Sequence, residues 1–525
     1  MKRIFCFLSL LSGSICAQEK KFMVKMGATY ELPRKADNLA FFGNEKDGIV
    51  NLSIKDNELN ILRFNPRTLA LAGEHVIEIP DATRNMVSEI VINHGNDYYW
   101  LRSDFQKSGK KDYLYSQKID VVKGNTVGEP LLMIESEKLD GYKVRKTGFS
   151  PKWKVDYKYQ FNFSANRELV LVSCKSDPEK QNDKKNIGNI GLHVFDNKMK
   201  KLWGNEFKMP YTDFAMDERD FSIDSKGNAY LLAKVYDTKD RKEELKDKTP
   251  GYHFEIMQFQ NGNPDPIIVK LNPENQFIKN VAILEMNANE MLIVCTYASK
   301  FWGVGVEGLY LAVLTGDGKI TRYKEGFYEF PDNELKKYVS KAELKNMEKE
   351  GKYTAPPLTI HDIIIGADGG IFITCEQIGA SITGSGNSIT YMFEDIFAAK
   401  ISPLGSLEWL RRIPKKQGSF HPTGIGFKTV FDSSGYSILY IDNEVNLQLK
   451  DDEQPKLHLD GVGGVLLAAK ITNSGELTKE VLLNTRDEKL MVHPPQFDRI
   501  NKNQFIGRTV LKENDTYQLM LIRSK

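Results

Sequence analysis

Three histidines and two aspartates have the types and placement that suit chemistry. His361 lies seven residues before the turn residue Asp368, His421 eleven before Asp432, and His493 eight before Asn501. Each histidine is read as standing just ahead of a strand. Asp217 holds the corresponding place in MDERDF, and Asp362 follows His361 directly. Imidazoles and carboxylates converging in this way bind Zn²⁺, Mn²⁺ or Ca²⁺, according to the balance of nitrogen and oxygen donors. The unequal registers argue against such a centre, as does the lack of any HxH or HxxxH spacing. His421 and His493 also precede prolines, which suits ordinary extended backbone. Hydrogen-bonded structural histidines are the plainer reading. A divalent ion held by His361, His421 and His493 is the sharper one.

Ligand contacts of another kind are suggested by Trp302 in KFWGVGVEG and by Tyr252 in TPGYHF. An aromatic ring on a polar, Gly-rich loop can stack on a sugar, and packing against a neighbouring element is the alternative. Asp217 and Asp362 complete the candidate ligand-binding set. The chain has no GxSxG elbow or HExxH pair, and no phosphate-binding or EF-hand loop. Organic cofactors are not indicated.

The elements that must position these residues repeat. Residues 220–237, DFSIDSKGNAYLLAKVYD, read as an alternating strand, a polar turn on Asp224, Lys226, Gly227 and Asn228, and a second strand. Similar stretches include YQFNFSANRELVLVSC, NVAILEMNANEMLIVC, HDIIIGADGGIFITC and FKTVFDSSGYSILYI. Each is followed by two further strand-like runs. Asp, Asn, Ser and Gly fill the turns because they tolerate positive φ or bond their own backbone. About eight four-stranded units predict an all-β chain, an eight-bladed β-propeller. Seven blades is the alternative, because the first unit is irregular. The last unit supplies three strands, so the strand-like FMVKMGATYEL near the N-terminus is expected to close the ring as its fourth.

Residues 331–351 break the pattern and read as a helical insertion. Leu335, Tyr338, Val339 and Ala342 share one face. Ser340 and Glu343 have capping-box spacing, and Gly351 suits a stop. The middle segments of units three (177–189), four (237–251), six (379–394) and seven (443–464) are read as long loops. In a propeller these open on one face, so that face is elaborated and the other is not. Trp203 and Trp409 hold matching outer-strand positions and read as packing.

Residues 1–17 read as a secretory signal, with Lys2 and Arg3 ahead of an apolar run and cleavage after Ala17. Ile15 stands before Cys16 where a lipidation signal takes a small residue, which disfavours an anchor. The remaining 18–525 is expected to be one propeller domain, periplasmic or secreted, with no membrane span. Without Lys2 and Arg3 the chain has 70 basic and 70 acidic residues, a balance that offers nothing to nucleic acid or an anionic membrane surface. Cys174, Cys295 and Cys375 sit in apolar runs and read as buried thiols.

Through turns such as DSKGN, GADGG, FDSSG and TGDGK, the chain resembles secreted bacterial β-propeller proteins. Its Ala-Gln junction resembles the signals of exported Bacteroidetes proteins. The resemblance implies a ring of blades around a channel and names no activity, since fold does not give function. Two functions follow. The favoured one is a non-catalytic binding or scaffold propeller of the cell envelope, holding a protein or glycan on its long-loop face. The alternative is a metal-assisted polysaccharide lyase or hydrolase with the histidines at the channel mouth. Partner identity and oligomeric state are left open.

Overall fold

The computed structural model describes residues 21–79, 86–106, 108–140, 158–179, 182–301, 305–383, 388–419, 426–459, 464–511 and 516–524. Residues 1–17, read from the sequence as a secretory signal, lie outside them. Eight antiparallel sheets follow one another, each running from an inner strand to an outer one. Blades 1 to 5 take residues 37–78, 87–137, 159–212, 216–271 and 277–329, and blades 6 and 7 begin at residues 358 and 427. The chain is an eight-bladed β-propeller. Seven blades are excluded because residues 37–78 form a regular four-stranded sheet.

Blade 4 shows why these residues fold this way. Asp224 Oδ1 accepts from the backbone N–H groups of Lys226 and Asn228, both at 2.9 Å, and Oδ2 from the Tyr230 hydroxyl at 2.8 Å. Gly227 takes the left-handed position at φ 86°. The strand that follows, Ala229–Tyr236, is buried throughout because neighbouring blades cover both its faces. The core therefore lies between blades. Leu311 and Val313 of blade 5, for example, pack with Ile371, Ile373 and Phe397 of blade 6.

Both ends of the chain build blade 8. Asp498–Asn501, Gln504–Leu511 and Thr516–Ser524 supply three strands, and Phe22–Tyr30 completes the sheet as its outermost. That strand runs antiparallel to Thr516–Ser524, from Phe22↔Ser524 to Tyr30↔Tyr517. Closure buries Phe22 with Met520, Ile522 and blade 7 residues, which removes the free edges of an open stack.

Inner-strand polar groups stitch one blade to the next. Asn162 Nδ2 donates to the Phe221 carbonyl at 2.8 Å, and Asp220, Asn280 and Asp498 accept from the backbone N–H groups of Ile283, Ile360 and Gly43. The inner strands of blades 1, 2, 4, 5 and 6 each carry one extra residue near their start: Leu39, Glu89, Arg219, Lys279 and His361. In blade 6 the extra residue is His361 itself. Trp203 and Trp409 are buried, and their indole N–H groups donate to Gly227 and Asn473 carbonyls of the next blade. The three cysteines are free and buried, and burial pushes the Cys174 and Cys375 thiols up to about 12.

The helical insertion is broken in two. Helix α1 is the single turn Asp332–Leu335, and α2 is Lys341–Glu350. Ser340 is extended and forms the capping box with Glu343, so the chain cannot be helical through Tyr338, and Gly351 ends α2 at φ 69°. Leu335 and Val339 are buried as expected, whereas Ala342 is exposed. Among the described residues no helix is long and apolar enough to cross a membrane.

Candidate functional site

His361 lies inside the inner strand of blade 6, Leu358–Ile365, and not ahead of it, because that strand starts directly after Pro357. As the bulged residue it turns toward blade 7. Its Nδ1 is 3.2 Å from Asp362 Oδ2, and its ring lies over Phe427 with centroids 4.2 Å apart. Burial pulls the imidazole pKa down. The hydrogen bond and charge of Asp362, with Glu376, outweigh this and leave it raised. Burial would raise the Asp362 carboxyl, yet His361, Thr429 and Lys428 together hold it below its ordinary value. The pair thus joins blades 6 and 7.

His493 heads the short turn Pro494–Gln496 in blade 8. His421 and Trp302 lie outside the described residues. Among the described residues no three His, Cys, Asp or Glu side chains gather as ligands for a metal. Asp217 is engaged by cations: Arg241 Nη2 donates to both its oxygens at 2.7 Å, and Arg219 Nη2 to Oδ2 at 2.8 Å. Tyr252 is a buried ring whose hydroxyl donates to the Ile278 carbonyl at 2.9 Å, with Lys234 Nζ 3.8 Å from its centroid.

The main elaboration lies elsewhere on the long-loop face. In blade 6 the segment read as a loop, 379–394, is largely strand. The second strand is Ile371–Thr383 and the third Ser388–Ile401. Their ladder continues past the blade, one to one, from Ile378↔Phe393 to Thr383↔Ser388. The sequence signal is SITGSGNSIT, in which the β-branched pairs Ile382-Thr383 and Ile389-Thr390 flank GSGNS. A bulge sets Gln377 against Glu394 and Asp395 and re-aims the hairpin where it leaves the blade. Gln417–Ser419 pairs with Tyr391–Phe393, and His458–Leu459 from blade 7 adds beyond it in parallel. The result is a small accessory sheet.

Helix α2 and the middle segment of blade 7 meet across this sheet. The Tyr338 N–H donates to the Asp451 carbonyl at 2.6 Å, and Gln454 Nε2 to Glu343 Oε2 at 3.3 Å. Tyr338 holds a left-handed φ of 59°, uncommon for a bulky side chain and a strain that concentrates at functional sites. Between these walls lies a cleft of about 370 Å³. Its floor is the blade 6 bulge with Arg412, Lys415 and Lys416, its walls are Tyr338, Glu343 and Met347, and Pro356 and Pro357 line its edge.

The floor is rigid because its charges are buried in pairs. Lys415 is 0 % exposed, and its three N–H donors meet Glu376 Oε1 at 2.7 Å, the Phe393 carbonyl at 2.9 Å and Gln417 Oε1 at 3.1 Å. Arg412 Nε and Nη2 both reach Asp395 Oδ2 at 2.7 Å, and its Nη1 donates to the Leu335 carbonyl at 3.1 Å. Lys416 and Glu394 form a looser, partly exposed pair at 3.4 Å. Beneath the floor Asp442 is fully buried, and burial pushes its carboxyl up to about 6. The arrangement offers a polar, charge-balanced surface held in place before any ligand arrives.

The class that fold and site define is an eight-bladed propeller with a cleft roofed by inserted elements on one face. No family model and no curated protein matches the chain. Among solved structures it is similar to prolyl oligopeptidase B from Galerina marginata, with 8 % identity and a TM-score of 0.38; the match covers 91 % of this chain and 55 % of that enzyme, about half its length. It is also similar to polysaccharide lyase Uly1, at 10 % identity, TM-score 0.37 and coverage of 83 % and 90 %. The WD40 domain of SCAP from fission yeast matches at 9 % identity, TM-score 0.37 and coverage of 96 % and 95 %. Likeness at this level carries no functional argument, and the fold is read from the chain's own sheets.

Proposed function

We propose that this chain is an exported, non-catalytic binding propeller of the cell envelope. It holds a protein or glycan partner on its long-loop face, in the cleft over blades 5 to 7. The carrying observation is that cleft. A strained tyrosine, an over-long hairpin and a floor of buried ion pairs converge on one space, while Arg241 and Glu243 of the blade 4 loop are tied down to Asp217 and Lys234. The leader and the balanced charge support an exported protein with no nucleic-acid partner. The test is binding of the mature chain to a glycan array and to purified envelope proteins, with a Gln377→Ala/Glu394→Ala/Lys416→Ala variant beside it. Loss of binding in that variant, with retention in a blade 4 variant Lys239→Ala/Lys246→Ala, is the expected result. Equal binding by all three proteins would remove the cleft from the account.

A further inference from the structure

Among the described residues the accessory sheet has one covered edge and one unpaired edge. Gln417–Ser419 covers Tyr391–Phe393 on one side, and His458–Leu459 pairs beyond it. On the other side, the inner strand of blade 6 reaches only to Leu358, opposite Gln377. Pro356 and Pro357 stand ahead of it; they carry no N–H and cannot extend a ladder. Among the described residues, no backbone group pairs with residues 378–383 from that side.

This edge differs from the outermost strands of the blades. All eight outermost strands carry charge or proline: Lys25 in Phe22–Tyr30, Glu74 in Leu71–Glu78, Pro130 in Asn125–Glu137, Lys208 and Pro210 in Lys201–Thr212, and Lys270 in Ile267–Leu271. Ile320–Glu329, Leu407–Ile413 and Leu477–Asn484 each carry lysine or arginine. Such residues keep foreign strands from adding to an edge. The edge at 378–383 reads IGASIT, with neither charge nor proline. It opens beside the cleft that Gln377, Pro356 and Pro357 line, and Ile378 is 39 % exposed at its start.

An open edge offers backbone donors and acceptors at every second residue, about 6.6–6.8 Å apart. Another extended polypeptide matches that spacing. A sugar chain carries no such regular alternation of donor and acceptor. We infer that the ligand of the cleft is an extended polypeptide segment that adds as a strand to Ile378–Thr383, with an apolar side chain set against Ile378. The inference rests on the binding reading above and names its ligand class.

The test uses the mature full-length chain and a phage-displayed library of random linear peptides. The strongest selected peptide is remade with a single backbone N-methyl group at each residue in turn. Strand addition predicts losses of about tenfold at alternate residues and little change between them, because only every second N–H faces the edge. Ile378→Asp, accepted as folded only if its melting temperature matches wild type, is expected to weaken the same peptide by a similar factor. Absence of any selected binder, methylation losses without alternation, or full affinity in Ile378→Asp would overturn the inference. If glycans bind and need Gln377, Glu394 and Lys416, the binding reading stands and the peptide falls. If neither class binds, both fall.

Discussion

The two faces of the ring use the same strand-and-turn grammar and end differently. On the tight-turn face the turns close on each other. Glu285 of blade 5 accepts from the Ala165 and Ser225 backbone N–H groups at 3.0 and 2.8 Å and from the Ser225 hydroxyl at 2.8 Å, tying blades 3, 4 and 5. Lys226 and Asn289 meet beside it at 2.6 Å. On the long-loop face at blade 6, the ladder runs on past the blade and meets a roof from two other segments. One face spends its polar groups on the ring, whereas the other buries charges beneath a surface that stays open. A propeller gains a site where its repeat overruns.

The most severe way to break this comparison is to open the ring. Deletion of residues 18–32 removes the outer strand of blade 8, and the cooperative thermal transition is expected to disappear, as read by circular dichroism. Next in size is Lys415→Ala. It strands the Glu376 carboxylate in the floor and should cost about 3–5 kcal/mol in denaturant unfolding, with a large part recovered in Lys415→Met/Glu376→Leu. A cost near zero would mean that the floor is wet and loose.

Asp442→Asn sharpens the comparison through pH. Burial is the leading cause that raises this carboxyl from 3.8 to about 6, and Lys479 and Lys415 oppose it without prevailing. The folded state therefore binds its proton more tightly than the unfolded one, and stability falls as pH rises from about 4 to about 6. The asparagine variant should be more stable than wild type at pH 8 by about 2–3 kcal/mol, and the gain should vanish near pH 4. Equal melting curves at both pH values would contradict a dry floor. On the opposite face, Glu285→Ala leaves three donors unanswered and should cost about 2 kcal/mol, with cleft binding unchanged.

The smallest effect is His361→Ala. A raised imidazole pKa adds stability below about pH 6.5 that is lost as pH rises through the folded value, so the variant should lose more at pH 5.5 than at pH 8. The group is about a third exposed, and the expected loss stays under about 1 kcal/mol. Metal content measured on wild type and variant purified without chelator is expected to be equal. An ion lost with His361 would return the histidines to the centre of the site.

Most of the ring was legible from the sequence because its signals are local. The turn on Asp224 and Gly227 and the alternation of each strand lie within a few residues of each other, and the strand-like Phe22–Tyr30, which belongs to no other unit, matches the strand that the last unit lacks. The site was harder to read. Gln377, Glu394, Arg412 and Lys415 meet through a register bulge and a cross-sheet ion pair that no spacing encodes. Residues 379–394 read as a long loop because SITGSGNSIT is small and hydroxyl-rich and holds two glycines, although Ile-Thr pairs flank them. Tyr252 reads as a residue near a loop and Asp217 as the entry to an inner strand, but their partners Ile278 and Arg241 lie 26 and 24 positions away in the chain.

Hydrogen–deuterium exchange of the ligand-free mature chain, resolved to single amides, tests the open edge most directly. Along Ile378–Thr383, alternate amides should exchange fast, those on the unpaired edge, while their neighbours bonded to Ser388–Phe393 exchange slowly. Uniform protection of all six would show that the edge is already covered, and the accessory sheet would then be structure alone.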